Sequence, residues 1–285
     1  MVSPIMFSRI TRKISLVSAV LTASLLVCST AAAATKSETP VDRVSKSMAD
    51  FVDQLSNVKC SERVTQFKLD KNGHTEYSEE SRFDYLVLLQ ASNDEMMLNE
   101  SRLPEKLPDP SRKEKSHEAE IVKKNVPMLL TNGFSTMLLI FHPYYRNSFG
   151  FTLAGEEMID GRRMLRVQFE HIPGTRTPAA LSVRGKEFPL DLKGTAWIDP
   201  ATAQVARIDA GLEKDMSDVG LKSLSIEVNY HPLQLHGWPQ PYRFPSDATI
   251  TVETLRQHWR NVHQFSKYQL FTVETESTVA DQTKE

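Results

Sequence analysis

From residue 40 the apolar positions fall three and four apart. Val41, Val44, Met48, Phe51 and Leu55 share one face of a helix predicted over 40–56, with Val52 widening the stripe and Asp42, Arg43, Lys46, Asp50 and Asp53 on the remaining surface. Thr39 is placed to cap this helix and Pro40 suits its first turn. The spacing then changes to two. Residues 58–69 read as a strand that ends at Asp70-Lys71-Asn72-Gly73, where Asn-Gly supplies positive φ. The chain returns from His74, and Phe83, Tyr85, Val87 and Leu89 alternate strictly. Leu86 and Leu88 make the opposite face apolar too, which predicts cover on both sides over part of the sheet. Ser92-Asn93-Asp94 turns the chain into a strand over 96–103.

Residues 104–124 break the pattern. Pro104, Pro108 and Pro110 precede a charged run, which predicts an exposed, flexible loop. A short helix is expected over 132–142, with Phe134, Met137, Leu138 and Phe141 on one side, Leu139 and Ile140 on the other, and Pro143 stopping it. Tyr144, Tyr145, Phe149 and Phe151 follow at once. This apolar stretch either fills the sheet as core or forms one wall of an apolar pocket. Strands resume at 149–153, and Asp160-Gly161 marks a hairpin before the alternating Leu165, Val167 and Phe169. Residues 173–193 and 236–245 carry loop residues. Between them, Gly194-Thr195-Ala196-Trp197-Ile198-Asp199-Pro200-Ala201-Thr202 reads as strand and tight turn, with a return strand that sets Val205, Arg207 and Asp209 against Ala206, Ile208 and Ala210. Leu224, Ile226, Val228 and Tyr230 alternate in turn, Ile250 and Val252 mark another strand, and 268–275 is read as the last, with Phe271 and Val273 facing one way.

About ten strands joined by hairpin turns, with two or three helices, predict a mainly β (α+β) fold: a large curved antiparallel sheet or unclosed β-barrel, with an N-terminal helix and a short lid or plug helix. One domain is expected over 35–276, followed by a polar tail over 277–285.

Composition adds a compartment. Arg9, Arg12 and Lys13 precede an apolar run over 14–27, and Ala32-Ala33-Ala34 fits a cleavage site, so residues 1–34 read as a secretory signal peptide. The run is short for a bilayer span, which needs about 20 residues, and the mature chain has no transmembrane segment in this reading. An uncleaved N-terminal anchor in the envelope is the alternative, and Cys28 raises lipidation, although Val27 before it is not the small residue that chemistry prefers. Loss of the three basic leader residues would make the net charge of −2 more negative by three. With 34 basic and 36 acidic residues and no basic stripe, nucleic acid is excluded as a default partner. Cleavage would leave Cys60 alone, unable to form an internal disulfide and without a histidine beside it in sequence to activate it.

No catalytic constellation emerges, and none is assigned. Ser56-Asn57-Val58-Lys59 matches Ser-x-x-Lys, but the companion Ser-Asp-Asn and Lys-Thr-Gly motifs are missing. His231 with His236, and His258 with His263, are five apart, which places each pair on opposite faces of a strand rather than on one metal. No metal or cofactor is expected. Trp259, between His258 and Arg260, reads as a single exposed aromatic, too little for a stacking platform.

A leader, an amphipathic N-terminal helix and an antiparallel meander carrying Gly194-x-x-Trp197-Ile198-Asp199-x-x-Thr202 resemble the LolA-like periplasmic lipoprotein-carrier superfamily, and are similar to the N-terminal domain of RseB-type envelope-stress regulators. The resemblance implies a half-open barrel around an apolar cavity, hence a periplasmic carrier of an acyl chain, lipid or lipoprotein, not an enzyme. The alternative on the same fold is a non-enzymatic interaction or stress-regulatory module that meets other envelope proteins. A concave sheet face has to be filled by side chains, helices or ligand. The candidates to line it are Phe83, Tyr85, Val87, Leu89, Phe134, Leu138, Phe141, Phe149 and Phe151.

Overall fold

Thr39 and Asp42 close the start of the first helix reciprocally. The Asp42 backbone N–H donates to Thr39 Oγ1 at 3.1 Å, and the Thr39 N–H donates to Asp42 Oδ2 at 2.8 Å. Helix α1 runs Pro40–Leu55 and buries Val44, Met48, Phe51, Val52 and Leu55, the stripe its spacing predicts. The computed structural model describes residues 38–55, 58–92, 95–105, 134, 136–183 and 185–270. The leader over 1–34, residue 56, most of the 104–124 loop, residues 271–275 of the expected last strand, and the tail over 277–285 lie outside these.

Among the described residues twelve strands follow: β1 Val58–Leu69, β2 Thr75–Ser92, β3 Glu95–Pro104, β4 Phe149–Ile159, β5 Arg162–His171, β6 Ala180–Val183, β7 Lys186–Pro189, β8 Leu192–Asp199, β9 Gln204–Leu212, β10 Leu221–Leu233, β11 Tyr242–Thr254 and β12 His258–Leu270. Ten form one antiparallel sheet in the order β3-β2-β1-β12-β11-β10-β9-β8-β5-β4, and β6 and β7 make a separate hairpin. The fold is mainly β, and the sheet does not close into a barrel.

The sheet curls around α1. That helix touches both β2 and β9, which stand five places apart. In a flat sheet they would be about 24 Å from each other, twice the width of a helix with its side chains. Phe51 of α1 also reaches Tyr242 and Phe244 of β11, with ring centroids 5.5 and 5.3 Å apart.

Several expectations change. The apolar stretch before residue 142 is a 3-10 helix, Thr136–Phe141, with all six residues buried, and Pro143 does not end helical structure. It occupies the first turn of a short helix α2, Pro143–Arg146, where its missing N–H costs nothing, and His142 caps that turn by accepting from Tyr144 N. Residues 173–193 are not all loop, because they hold the β6–β7 hairpin and the start of β8. Strands of four residues are too short for alternation to announce them. Pro245 lies inside β11, opposite Tyr230 and next to an irregularity in the β10–β11 register. A proline is tolerated there because the bulge needs no ladder N–H.

The return strand of the Trp197 hairpin changes phase. A bulge between Trp197 and Ile198 pairs Trp197 with Arg207 and Ile198 with Val205. Two successive side chains, Ala206 and Arg207, therefore lie on the outer face with Trp197, while Val205 joins Ile208 and Ala210 in the core. Gly194 has a different role: a Cβ there would lie 2.1 Å from the Asp209 carbonyl and 2.8 Å from the Phe169 ring. Glycine lets the Phe169 ring of β5 lie against the β8 backbone. Leu86 is only half-buried, so the outer face of β2 is less covered than its apolar pattern suggested.

Candidate functional site

The concave face is the site the fold builds. Strand alternation sends Phe83, Tyr85 and Val87 of β2 to the same side as Cys60 and Glu62 of β1, because Cys60 pairs with Tyr85 and Glu62 with Phe83. Tyr85 and Val87 are buried and Phe83 is half-buried. Leu89 pairs with Leu98 at the β2–β3 edge, and its side chain lies outside the described residues. At the other end of the sheet, Phe149 and Phe151 of β4 face Phe169 and the Phe141 ring, at centroid distances of 5.1–6.3 Å from their neighbours.

The expected lining residues therefore fall into two groups, and the 134–146 stretch bridges them. Phe134 packs edge-on against Phe265 of β12 at 5.6 Å, and its carbonyl accepts from Tyr230 Oη at 2.8 Å. Leu138 and Phe141 are fully buried. Tyr145 Oη donates to the Met96 carbonyl of β3 at 2.5 Å, only four residues before β4 begins, so α2 spans the gap between the two edges of the sheet. Arg146 pairs with Asp42 and ties α2 to α1. Beside α1 and Leu138 the remaining void is about 10 Å³, room for about one water. The buried side chains of the 136–141 stretch pack into the described part of the cup.

Sequence reading missed the polar part of this face. Glu62 of β1, Glu100 and Arg102 of β3, Tyr85 and His263 form one buried cluster. Arg102 Nε donates to Glu62 Oε2 at 2.6 Å and Nη2 to Oε1 at 3.1 Å, a two-pronged pair. Arg102 Nη2 also lies 2.9 Å from Glu100 Oε2, and its guanidinium sits 5.0 Å above the Tyr85 ring. Tyr85 Oη donates to Glu100 Oε1. His263 Nδ1 is 2.8 Å from Glu62 Oε1. Glu62 and His263 side chains are fully buried, and those of Glu100 and Arg102 nearly so.

Charge is settled by these contacts. Burial works to raise Glu62, but the bonds from His263 and Arg102 outweigh it and hold the carboxyl below its usual range. Burial raises Glu100 against the pull of Arg102, toward its protonated form. Burial lowers His263 despite the Glu62 carboxylate, so the imidazole is neutral, with Nδ1–H donating to Glu62. Its Nε2 then carries a lone pair, and that atom has no partner among the described residues. Neither has Gln66 Nε2 on β1 or Thr136 Oγ1 on the 3-10 helix. Left without a water or ligand, each such atom would cost about 1–3 kcal/mol. The signal was present in β1, where Glu62 and Gln66 occupy inward positions of an otherwise apolar alternation. It was unreadable for His263, because β12 begins ten residues before the expected last strand. Trp259 lies on that strand as well. It is 1% exposed and donates to Gln257 Oε1, so it is core and not a surface aromatic.

The pH dependence of stability follows from two histidines. Both His263 and His142 are lowered by burial below 6.5, and His142 Nδ1 must stay unprotonated to accept from Tyr144 N. The unfolded chain thus binds more protons, so their contribution is complete above pH 6.5 and is lost as the pH falls toward the folded values. Glu62 adds a further loss below 4.5, which Glu100, shifted the other way, partly offsets. Urea melts between about pH 7.5 and 5.5 are expected to show falling stability, with a shallower slope in His263→Gln. Parallel slopes in the two proteins would remove His263 from this account.

A second cluster has the outline of a nucleophile, base and acid. Thr175 Oγ1 is 3.3 Å from His171 Nε2, and His171 Nδ1 is 2.7 Å from Asp191 Oδ1. The hydroxyl, however, donates to the Ile172 carbonyl at 2.6 Å, and Nε2 faces the Arg176 carbonyl at 3.1 Å. The threonine proton is directed at a carbonyl rather than at the imidazole, so the cluster anchors the 172–179 loop. Cys60 is buried, and that burial pushes its thiol up to about 12, which keeps it inert. Among the described residues no three His, Cys, Asp or Glu side chains gather as a metal site would, and no helix is long and apolar enough to cross a membrane.

No family profile and no curated protein matches the chain. Among solved structures it is similar to a DUF1329 family protein from Desulfovibrio piger, at 15% identity over 83% of this chain and 95% of that one, with a TM-score of 0.36. It is also similar to a LolA superfamily protein from Nitrosomonas europaea, at 12% identity over 81% and 94%, TM-score 0.37. A third is an outer membrane lipoprotein-sorting protein domain from Vibrio parahaemolyticus, at 9% identity over 80% and 93%, TM-score 0.36.

Proposed function

We propose that this protein is a non-enzymatic periplasmic carrier, which holds an acyl chain, a lipid or the lipid part of a lipoprotein against the concave face of its sheet. The observation that carries this reading is the 3-10 helix Thr136–Phe141, whose six residues are all buried. Hydrogen bonds in a 3-10 helix are poorly aligned, so such a segment is held by side-chain burial more than by its backbone. An acyl chain offers the same kind of apolar surface and can take its place. Tyr85, Val87, Phe149 and Phe151 are then walls of the site, and Phe134, Leu138 and Phe141 are the plug that the ligand displaces. The envelope location follows the leader read in residues 1–34.

A second reading, an interaction module for another envelope protein, is favoured by the filled core and by Leu153 and Met158 on the edge strand β4, which are 57% and 61% exposed. Native mass spectrometry of protein purified gently from an envelope fraction separates the two. Bound lipid or acylated peptide is the result expected of a carrier. A clean apo mass, with no uptake of added lipid, would overturn that reading in favour of the module.

A further inference from the structure

The polar atoms left unpaired on the concave face are arranged as a pair. Gln66 lies opposite Asn261 and Val64 opposite His263 across the β1–β12 ladder, so Gln66 and His263 are diagonal neighbours on the inner side. Both are buried, His263 at 0% and Gln66 at 5% exposed. Gln66 Nε2 is a donor and His263 Nε2 an acceptor, and neither has a partner among the described residues. Resting on the carrier reading, we propose that these two atoms recognise a neutral amide at the head of the acyl ligand. The ligand N–H donates to His263 Nε2, and its carbonyl accepts from Gln66 Nε2.

Three observations support this. The two residues stand about 7–8 Å apart at the backbone with both side chains on the inner face, close enough for one small polar group to reach both. Among the described residues the surroundings offer no free charge: Arg102 is paired with Glu62, and burial keeps Glu100 toward its protonated form and His263 neutral. A charged head would lack a counterion there, whereas a neutral head needs none. Finally, the plug does not satisfy the site it covers. The Phe134 ring lies edge-on to His263 at 4.7 Å, and the Thr136 hydroxyl two residues later is itself unpaired. Buried polar groups are ordinarily paired, and a ligand in place of the plug would supply the partners that the plug does not.

The test is displacement of a fluorescent fatty-acyl probe from the full mature chain by decanamide, methyl decanoate and decanoate. The amide is expected to bind about tenfold more tightly than the ester, which accepts but cannot donate. In His263→Leu that preference should shrink to about two- to threefold with ester affinity retained, whereas Gln66→Leu, which removes the donor that both carbonyls use, should weaken amide and ester alike by about five- to tenfold. Gln66→Leu leaves the Glu62–Arg102 pair untouched, so it keeps the test alive if His263→Leu fails to fold. Equal binding of amide and ester by the unaltered protein, a preference that survives in His263→Leu, or amide and ester affinities unchanged in Gln66→Leu means that these atoms hold water only; the head site falls and the carrier reading stands. If none of the acyl probes binds, the carrier reading itself fails and takes the head site with it.

Discussion

Replacing Arg102 with methionine is expected to lower the stability of this protein by about 3–5 kcal/mol, as a drop in the urea midpoint with little change in slope. The reason is what remains rather than what is lost. The Glu62 side chain is fully buried, and Arg102 reaches both of its carboxylate oxygens. Without the guanidinium, Glu62 keeps only His263, a neutral donor, and the carboxylate stands uncompensated among apolar side chains. Desolvation makes breaking one side of such a pair far costlier than the net worth of the pair. The double replacement Glu62→Gln with Arg102→Met removes both charges and is expected to recover part of the loss. An unchanged midpoint in Arg102→Met would mean that water reaches the cluster and that the cup is open there.

Leu138→Ala separates a plug from a core residue. Leu138 is 2% exposed in the middle of the 3-10 helix, and truncating such a leucine costs about 2–5 kcal/mol. If the plug and a ligand compete for the same surface, part of that loss reappears as affinity, since every 1.4 kcal/mol is tenfold. The variant is therefore expected to melt at a lower temperature and to bind a fluorescent acyl probe at least about tenfold more tightly than the unaltered protein. If Leu138 is ordinary core, the melting temperature falls and affinity does not rise. That second outcome would sink the plug. Leu138→Glu, by contrast, would bury a charge in the closed state and confound opening with unfolding.

Much of the architecture was legible because its signals are local. The α1 stripe, the Thr39 cap, the Asn72-Gly73 and Asp160-Gly161 turns and the β8–β9 hairpin each depend on a few neighbouring residues, and the structure places all of them where their spacing puts them. The failures share a cause. Trp259 looked like a surface residue because polar neighbours break the apolar alternation of β12, and His263 was read only as half of a pair spaced wrongly for one metal, yet their strand lies between β1 and β11 with its inner side covered. Pro245 looked like a loop residue because the bulge that accommodates it exists only once β10 is alongside. The phase change at Ala206 likewise arises from pairing with Trp197 and Ile198, not from anything in the return strand itself.

By itself, then, the sequence determined the N-terminal helix and most of the strands, though not β6, β7 or the first ten residues of β12, and that the strands join by hairpins into a mainly β fold, because propensity, periodicity and turn chemistry act over a few residues. Only the tertiary structure decided that Glu62, Glu100, Arg102 and His263, drawn from three strands and separated by up to 201 positions, meet in one buried cluster. It likewise decided that the 136–141 stretch is a buried 3-10 helix. Burial and charge pairing are properties of the environment a side chain enters, and that environment exists only after distant strands have come together.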